Sequence, residues 1–531
     1  MAAGAAEHVS RTLADHLPIL VVLAPFVAAP VAVVIGNRNA ARTLAVLATV
    51  ISLVASWLLL RQVVGGGYIS YPIGGWPPPI GIEYRIDAAN AFVLLLISAI
   101  GTVFLPYAFR SLDHEIPWRN HTLVYCCYLL CLSGLLGIVA TGDGFNVFVF
   151  LEISSLSTYI LVSQGCYRDK RALTAAYDYL IMGTIGAVFF VIGLGMLYMM
   201  TGTLNMADLA DRIAAQGPNR TLLAAFAFIV VGVSLKVAIF PLHMWLPYAY
   251  SHAPSAVTVF LSATATKASI YVLLRFLFSV FQPEFVVATL TPQAVLLPLA
   301  IAAMVVMSFV AVFQTDLKRM LAYSSLAHVG YLLLGVALMN VDGLSATIIH
   351  LFNHGITKAL LFMGAGALVL RVGSTFYDDI AGLGRSMPVM SAAMVIGGLS
   401  LVGVPGTAGF VSKWLLVQAS FERGWTFAAV LVVASTLLTV VNMWRVFEVL
   451  YIRSPNPGSQ RQSQPLTSAG GPAGRIADTT GDAPLMMLVP IWILAIACIW
   501  FGIDTGLTLG SAQVAAESLL SGSLGMADGA I

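Results

Sequence analysis

From residue 17 to residue 507 the chain is a succession of apolar runs, each near the ~20 residues an α-helix needs to cross a ~30 Å hydrocarbon core. They fall near 17–35, 43–64, 89–109, 122–141, 146–165, 173–200, 222–246, 255–281, 292–313, 320–339, 344–371, 388–415, 425–451 and 485–507, punctuated by Gly, Pro and charge clusters. This spacing predicts an all-α integral membrane protein of about 14 transmembrane helices. Only 9% of residues are charged and 59% are hydrophobic, against roughly a quarter charged in soluble domains, and the mean hydropathy is +0.91. A soluble α/β enzyme is excluded. A net charge of +2 leaves no basic excess of the kind that binds nucleic acid.

The loops carry the topology. Loops after odd-numbered runs hold Arg38, Arg42, Arg110, Arg119, Arg168, Lys170, Arg171, Lys318, Arg319, Arg371, Arg385, Arg453, Arg461 and Arg475; loops after even runs and the N-terminus hold only Arg11, Arg61, Arg85, Arg212, Arg220 and Arg423. Cytoplasmic loops retain Lys and Arg, so both termini are expected outside the cytoplasm of a cell (plasma) membrane. The first sixteen residues mix Glu7, Arg11 and Asp15 and lack the basic-then-apolar order of a cleaved signal, so the first helix is expected to direct insertion. Cys126, Cys127, Cys131, Cys166 and Cys498 fall in or beside apolar runs, without paired CxxC motifs, and read as small core residues. One stretch, Ser454 to Pro484, is rich in Ser, Gly, Pro and Gln and reads as a flexible cytoplasmic linker. No other segment is long enough for a soluble domain, so no nucleotide, flavin or iron–sulfur cofactor is expected.

The informative residues are the charges left inside the runs: Lys236, Lys267, Arg275, Lys358, Lys413 and Arg445, with Glu152 and Asp178 as acids at membrane depth. A charge at the bilayer centre costs about 2.5–3.5 kcal/mol, so it is kept where it faces protein or water and usually serves a pathway. Arg275 and Arg445 lie near the ends of their runs, where snorkelling to the interface accounts for them equally well. Lys236 sits mid-run in VVGVSLKVAIFPLHMWLP, too deep for that. Pro241 and Pro247 remove backbone donors beyond it, which predicts a broken helix. GVPGTAGFVSKW repeats the device, with Gly403, Pro405, Gly406 and Gly409 just before Lys413. Two interrupted helices five runs apart, each with a lysine, suggest two inverted five-helix repeats with ions handled near the midplane. The expected division is 1–121 for the first three helices, 122–281 and 292–451 for the repeats, 452–484 for the linker, and 485–531 for a last helix and tail.

In HLFNHGITKALLF, His350, His354 and Lys358 recur every four residues along one helical face. A metal pair fits poorly, since the Glu of HExxH and a third ligand are missing. Two His on one face of one helix cannot hold a haem iron from opposite sides. Histidine titrates near neutrality and passes protons either way, so a proton relay is the better account.

The segment KVAIFPLHMWLPYAYSHAPSAVTVFLSATATKASIYVLLR, with HLFNHGITKALLFMGAG and GVPGTAGFVSKW, resembles the antiporter-like family over roughly residues 90 to 450. That family comprises the large subunits of Mrp-type Na+/H+ antiporters, the antiporter-like subunits of respiratory complex I, and hydrogenase-linked relatives. Length and a single linker before the last helix resemble the Mrp D-type subunits best. The resemblance implies that Glu152 pairs electrostatically with Lys236, that Lys267, His350, His354 and Lys358 form a central axis, and that Lys413 is the terminal residue of the row. It also implies partner membrane subunits and exchange of H+ for a monovalent cation such as Na+, whose site the sequence does not locate. A nearby carboxylate favours the charged form of a buried amine, so moving Glu152 relative to Lys236 would load or release a proton. A redox enzyme is disfavoured by the missing cofactor motifs, an inert scaffold by the buried lysines, and a metabolite carrier remains open. Within the family the alternative is a proton-pumping subunit of a redox-driven complex.

Overall fold

The computed structural model describes residues 13–454 and 481–521. Residues 455–480 of the expected linker, the reading of the first twelve residues, and Arg461 and Arg475 lie outside the described residues.

Helices α1 (Leu17–Ile35) and α2 (Arg38–Val63) lead into a two-stranded antiparallel hairpin, β1 (Ile69–Pro72) paired with β2 (Glu83–Ile86). Then come α3 (Ala88–Val103), α4 (Leu105–Glu115), α5 (His121–Ala140), α6 (Gly144–Ser163), α7 (Arg171–Thr201), α8 (Met206–Gln216) and α9 (Arg220–Val237). The middle holds α10 (Trp245–His252), α11 (Ser255–Leu274), α12 (Gln282–Leu290), α13 (Leu296–Val312), α14 (Leu317–Ala337) and α15 (Val341–Val372). After the short α16 (Tyr377–Ile380) and α17 (Leu383–Ser386) follow α18 (Pro388–Val402), α19 (Ala408–Glu422), α20 (Thr426–Phe447), α21 (Leu485–Ile503) and α22 (Gly506–Leu520).

Among the described residues eleven helices are long and apolar enough to span a membrane, or up to thirteen if each of two bent pairs counts as one span. The expected fourteen is not reached, for physical reasons. The ninth run is α13, an apolar helix of 17 residues, at the short end of the range that crosses a bilayer. The third bends by 51° between α3 and α4, and the twelfth divides into α18 and α19 of 15 residues each. The apolar pattern does not foretell the hairpin or α22; α22 packs on α15 and α3.

Side-chain caps start several of the helices, where little water is present to serve the free N–H groups. Asp87 and Asn90 form a reciprocal capping box on α3. Asp143, Asn219, Asp316 and Asn340 accept from the first-turn N–H groups of α6, α9, α14 and α15. Helices α5, α11, α14 and α15 are enclosed almost all round, while α1, α7, α20 and α21 keep broad apolar faces outward. The interior is therefore built around α11, α14 and α15, the helices that carry Lys267, Lys318 and Lys358, three of the four buried lysines among the described residues.

Candidate functional site

Helix α9 ends one residue after Lys236. Ala238 takes a left-handed conformation at φ 64°, and the chain runs irregularly to Trp245. Pro241 lies inside this break, whereas Pro247 is the third residue of α10, where its missing N–H costs nothing. The freed carbonyls find donors within the fold: Trp245 Nε1 donates to Leu235 O at 3.0 Å and Ile239 N to Ser234 O at 3.0 Å. The second break follows α18, where Gly403 at φ 88° supplies the left-handed turn that ends the helix. Gly409 is required by proximity, since a Cβ there would stand 1.8 Å from Ser400 O.

Each break places its lysine differently. Lys236 Nζ donates to Ser155 Oγ of α6 at 2.6 Å and stands 3.9 Å from Glu152 Oε1. That carboxylate oxygen has no hydrogen-bond partner. Glu152 is 27% exposed in its side chain, on a face of α6 shared with the exposed Phe145, Val149 and Leu156. Lys413, on α19, turns back to the C-terminus of α18 and donates to Leu401 O at 2.9 Å and Val402 O at 3.0 Å. An ammonium there meets both the orphan carbonyls and the negative end of the helix dipole. Its other neighbour is the Tyr331 ring, 5.0 Å from Nζ to centroid.

Between the breaks lie two fully buried lysines. Lys267 donates to Ser262 O at 2.5 Å and Thr266 Oγ1 at 3.3 Å, within its own helix α11. Lys358 crosses from α15 to α14, donating to Leu321 O at 2.9 Å and Ser324 Oγ at 2.5 Å. Among the described residues no carboxylate lies within salt-bridge distance of Lys267, Lys358 or Lys413. Lys236 and Ser269, two residues on from Lys267, line the same narrow cleft with Leu151 and Phe190.

The histidines form a tighter unit than one helix face. His328 of α14, which sequence reasoning passed over, stacks against both His350 and His354 at centroid distances of 5.1 and 4.7 Å, with ring planes within 8°. One ring nitrogen donates between His328 Nδ1 and His350 Nε2 at 2.9 Å, and His350 Nδ1 meets Ser412 Oγ at 2.9 Å, beside Lys413. Both nitrogens of His354 and Nε2 of His328 are buried without a partner. The signal for His328 is present in SSLAHVGYLLL, a lone His in an apolar run. Lys267, Lys358 and Lys413 all lie within electrostatic reach of His328.

Two other depth charges serve elsewhere. Arg275 does not snorkel: it is buried, pairs with Asp87 at 2.7 Å and donates to Tyr271 Oη at 3.0 Å, tying the end of α11 to the cap of α3. Arg445 donates to Val312 O and covers the Tyr377 ring. Asp178 is half-buried on α7. Lys318, whose place between two apolar runs marks it as a loop cation, is instead the second residue of α14 and 4% exposed.

Residues 142–439, more than half of the chain and including every histidine and lysine of this row, match the family model described as NADH:quinone oxidoreductase/Mrp antiporter, TM. The chain belongs to this family. Among similar family members, the N subunit of an NADH-quinone oxidoreductase from Desulforudis audaxviator is 40% identical over 494 residues, covering 92% of this chain and 96% of the relative. The D subunit of a Na(+)/H(+) antiporter from Alkalihalophilus pseudofirmus is 30% identical over 436 residues, covering 82% and 86%. A chain of the Mrp complex from Dietzia sp. superposes with a TM-score of 0.86 at 24% identity, covering 97% of this chain and 98% of that one, a likeness of fold. The family match thus spans both breaks and the stack between them, and leaves α1 to α5 and α21 to α22 outside it.

Proposed function

We propose that the chain is the proton-translocating subunit of a multisubunit monovalent-cation (Na+)/H+ antiporter. The carrying observation is the Lys236–Glu152 pair: an amine at a helix break, bonded to a hydroxyl, with a carboxylate 3.9 Å away whose nearer oxygen is unbonded. A separation longer than a salt-bridge hydrogen bond leaves room for closure, and closure favours the protonated amine while opening favours release. Lys267, the His328–His350–His354 stack and Lys358 extend the row inward, and Lys413 ends it at the second break. The segments that carry the row, 122–281 and 292–451, are proposed as the two inverted five-helix repeats.

A carboxylate at membrane depth is costly against lipid. The outward face around Glu152 therefore fits a contact with another membrane subunit, and cation exchange is a property of that assembly. The proposed setting is the plasma membrane with both termini outside the cytoplasm. A second reading is favoured by the 40% identity to the N subunit of an NADH-quinone oxidoreductase: the same row as a proton pump driven by a redox complex.

The deciding experiment uses inverted vesicles containing the assembled complex and a preset pH gradient. Added Na+ should dissipate the gradient without any electron donor. Dissipation that needs an electron donor, or that survives Lys236→Ala unchanged, would overturn this function.

A further inference from the structure

Five helix ends meet at one buried ionic cluster outside the row. Glu115, the last residue of α4, is 4% exposed. Its two oxygens each accept from Ser255 N at 3.1 Å, and Oε1 also accepts from Ser111 Oγ at 2.9 Å. Helix α11 has no side-chain cap of its own, because Pro254 stands at its N-cap position. Its first N–H is served from another helix, by a negative group matched to the positive end of the dipole.

Beside it, Lys318 Nζ donates at 3.3 Å to Ala253 O, the C-terminal cap of α10, and lies within electrostatic reach of Glu115. A lysine in the first turn of α14 opposes that helix's own dipole. Its position makes sense at the end of α10, where the dipole is negative. Arg168 completes the cluster: Nη1 pairs with Glu115 Oε2 at 3.2 Å and Nη2 donates to Gly373 O, the cap of α15. The turn Ala253–Pro254 is thus held between a cation at the end of α10 and an anion at the start of α11.

The helices gathered here are those of the row. α10 is the far half of the broken helix of Lys236, α11 carries Lys267, α15 carries His350, His354 and Lys358, and α14 supplies His328 and both acceptors of Lys358. We infer that Glu115 and Lys318 are positioning residues, an electrostatic latch that transmits the displacement of α10 to α14 and so to the acceptors of Lys358. The latch rests on the proposed transport function for its consequence but not for its existence.

The test separates the two. Vesicles containing the full complex are compared for wild type, Lys318→Met, Lys318→Arg and Glu115→Gln, with flux normalised to assembled complex, and backbone hydrogen exchange is followed over residues 249–258. Losing one partner of a buried charged cluster should speed exchange of this turn in Lys318→Met and Glu115→Gln and cut flux about tenfold, while Lys318→Arg stays within about threefold of wild type. Methionine fills the lysine's space, so equal flux for Met and Arg would reduce the cluster to packing and overturn the latch. Unchanged exchange in both neutral variants would overturn it as well. Faster exchange with unchanged flux would leave the turn clamped but defeat the coupling. If Glu115→Gln fails to assemble, the two Lys318 variants decide the matter alone. Failure of the transport reading would show separately, as Na+-independent flux in the wild type.

Discussion

The two broken helices set their lysines against opposite partners. Lys236 faces a carboxylate on another helix, at a distance that can shorten. Lys413 faces two backbone carbonyls that its own broken helix has freed, at distances already those of good hydrogen bonds. A carboxylate partner offers a Coulomb term that changes steeply with separation, whereas carbonyl partners offer a fixed dipolar cradle. In the proposed row, one end is then suited to be switched and the other to be held. The sequence device is the same at both ends, so the difference lies in what the rest of the fold brings to each lysine.

The largest expected effect tests the switched end. Lys236→Ala should lower Na+-driven gradient dissipation about 100-fold per assembled complex, the scale of losing a proton-transfer group. A residual rate near wild type would remove the switch from the comparison. Next comes the held end. Lys413→Gln keeps an N–H donor for Leu401 O and Val402 O but carries no proton, and should lose about thirtyfold if proton carriage matters there. Near-wild-type flux would show that Lys413 only caps α18. Third, Glu152→Gln should cost about tenfold and Glu152→Asp about threefold, because charge at that site sets the occupancy of Lys236. Equal rates for the two would erase the distinction between the ends. The smallest effect belongs to the middle: His328→Gln should cost about threefold, since His350 and His354 remain adjacent. A complete loss would place the control in the stack instead of at either end.

Much of this is legible in the sequence because lipid makes hydrophobic runs and stray charges loud. The spans, the break beyond Lys236, the glycine-rich break before Lys413 and the His350–His354–Lys358 face can be read by length and periodicity. What stays hidden depends on partners far along the chain. Asp87 and Arg275 are separated by 188 residues, and nothing local in either segment announces the pair. Ser155 is one of several hydroxyls on α6 and only the fold selects it for Lys236. Lys318 resembles an ordinary loop cation because its burial comes from α4, α10 and α11 closing over the start of α14. The bend at Phe104, by contrast, has a local signal in Pro106, whose missing N–H and ring interrupt the helical ladder, and α13 reads as a full span because its flanking residues are apolar as well.

The stacked imidazoles also set a limit on counting. With ring centres 4.7 to 5.8 Å apart, two of them charged at once would repel by about 3 kcal/mol even at an effective dielectric of about 20, a penalty of more than a hundredfold in population. In the proposed proton row the stack would therefore act as a single-occupancy turnstile: however many protons wait on either side, the middle would admit them singly, and throughput would follow how quickly one occupant clears for the next.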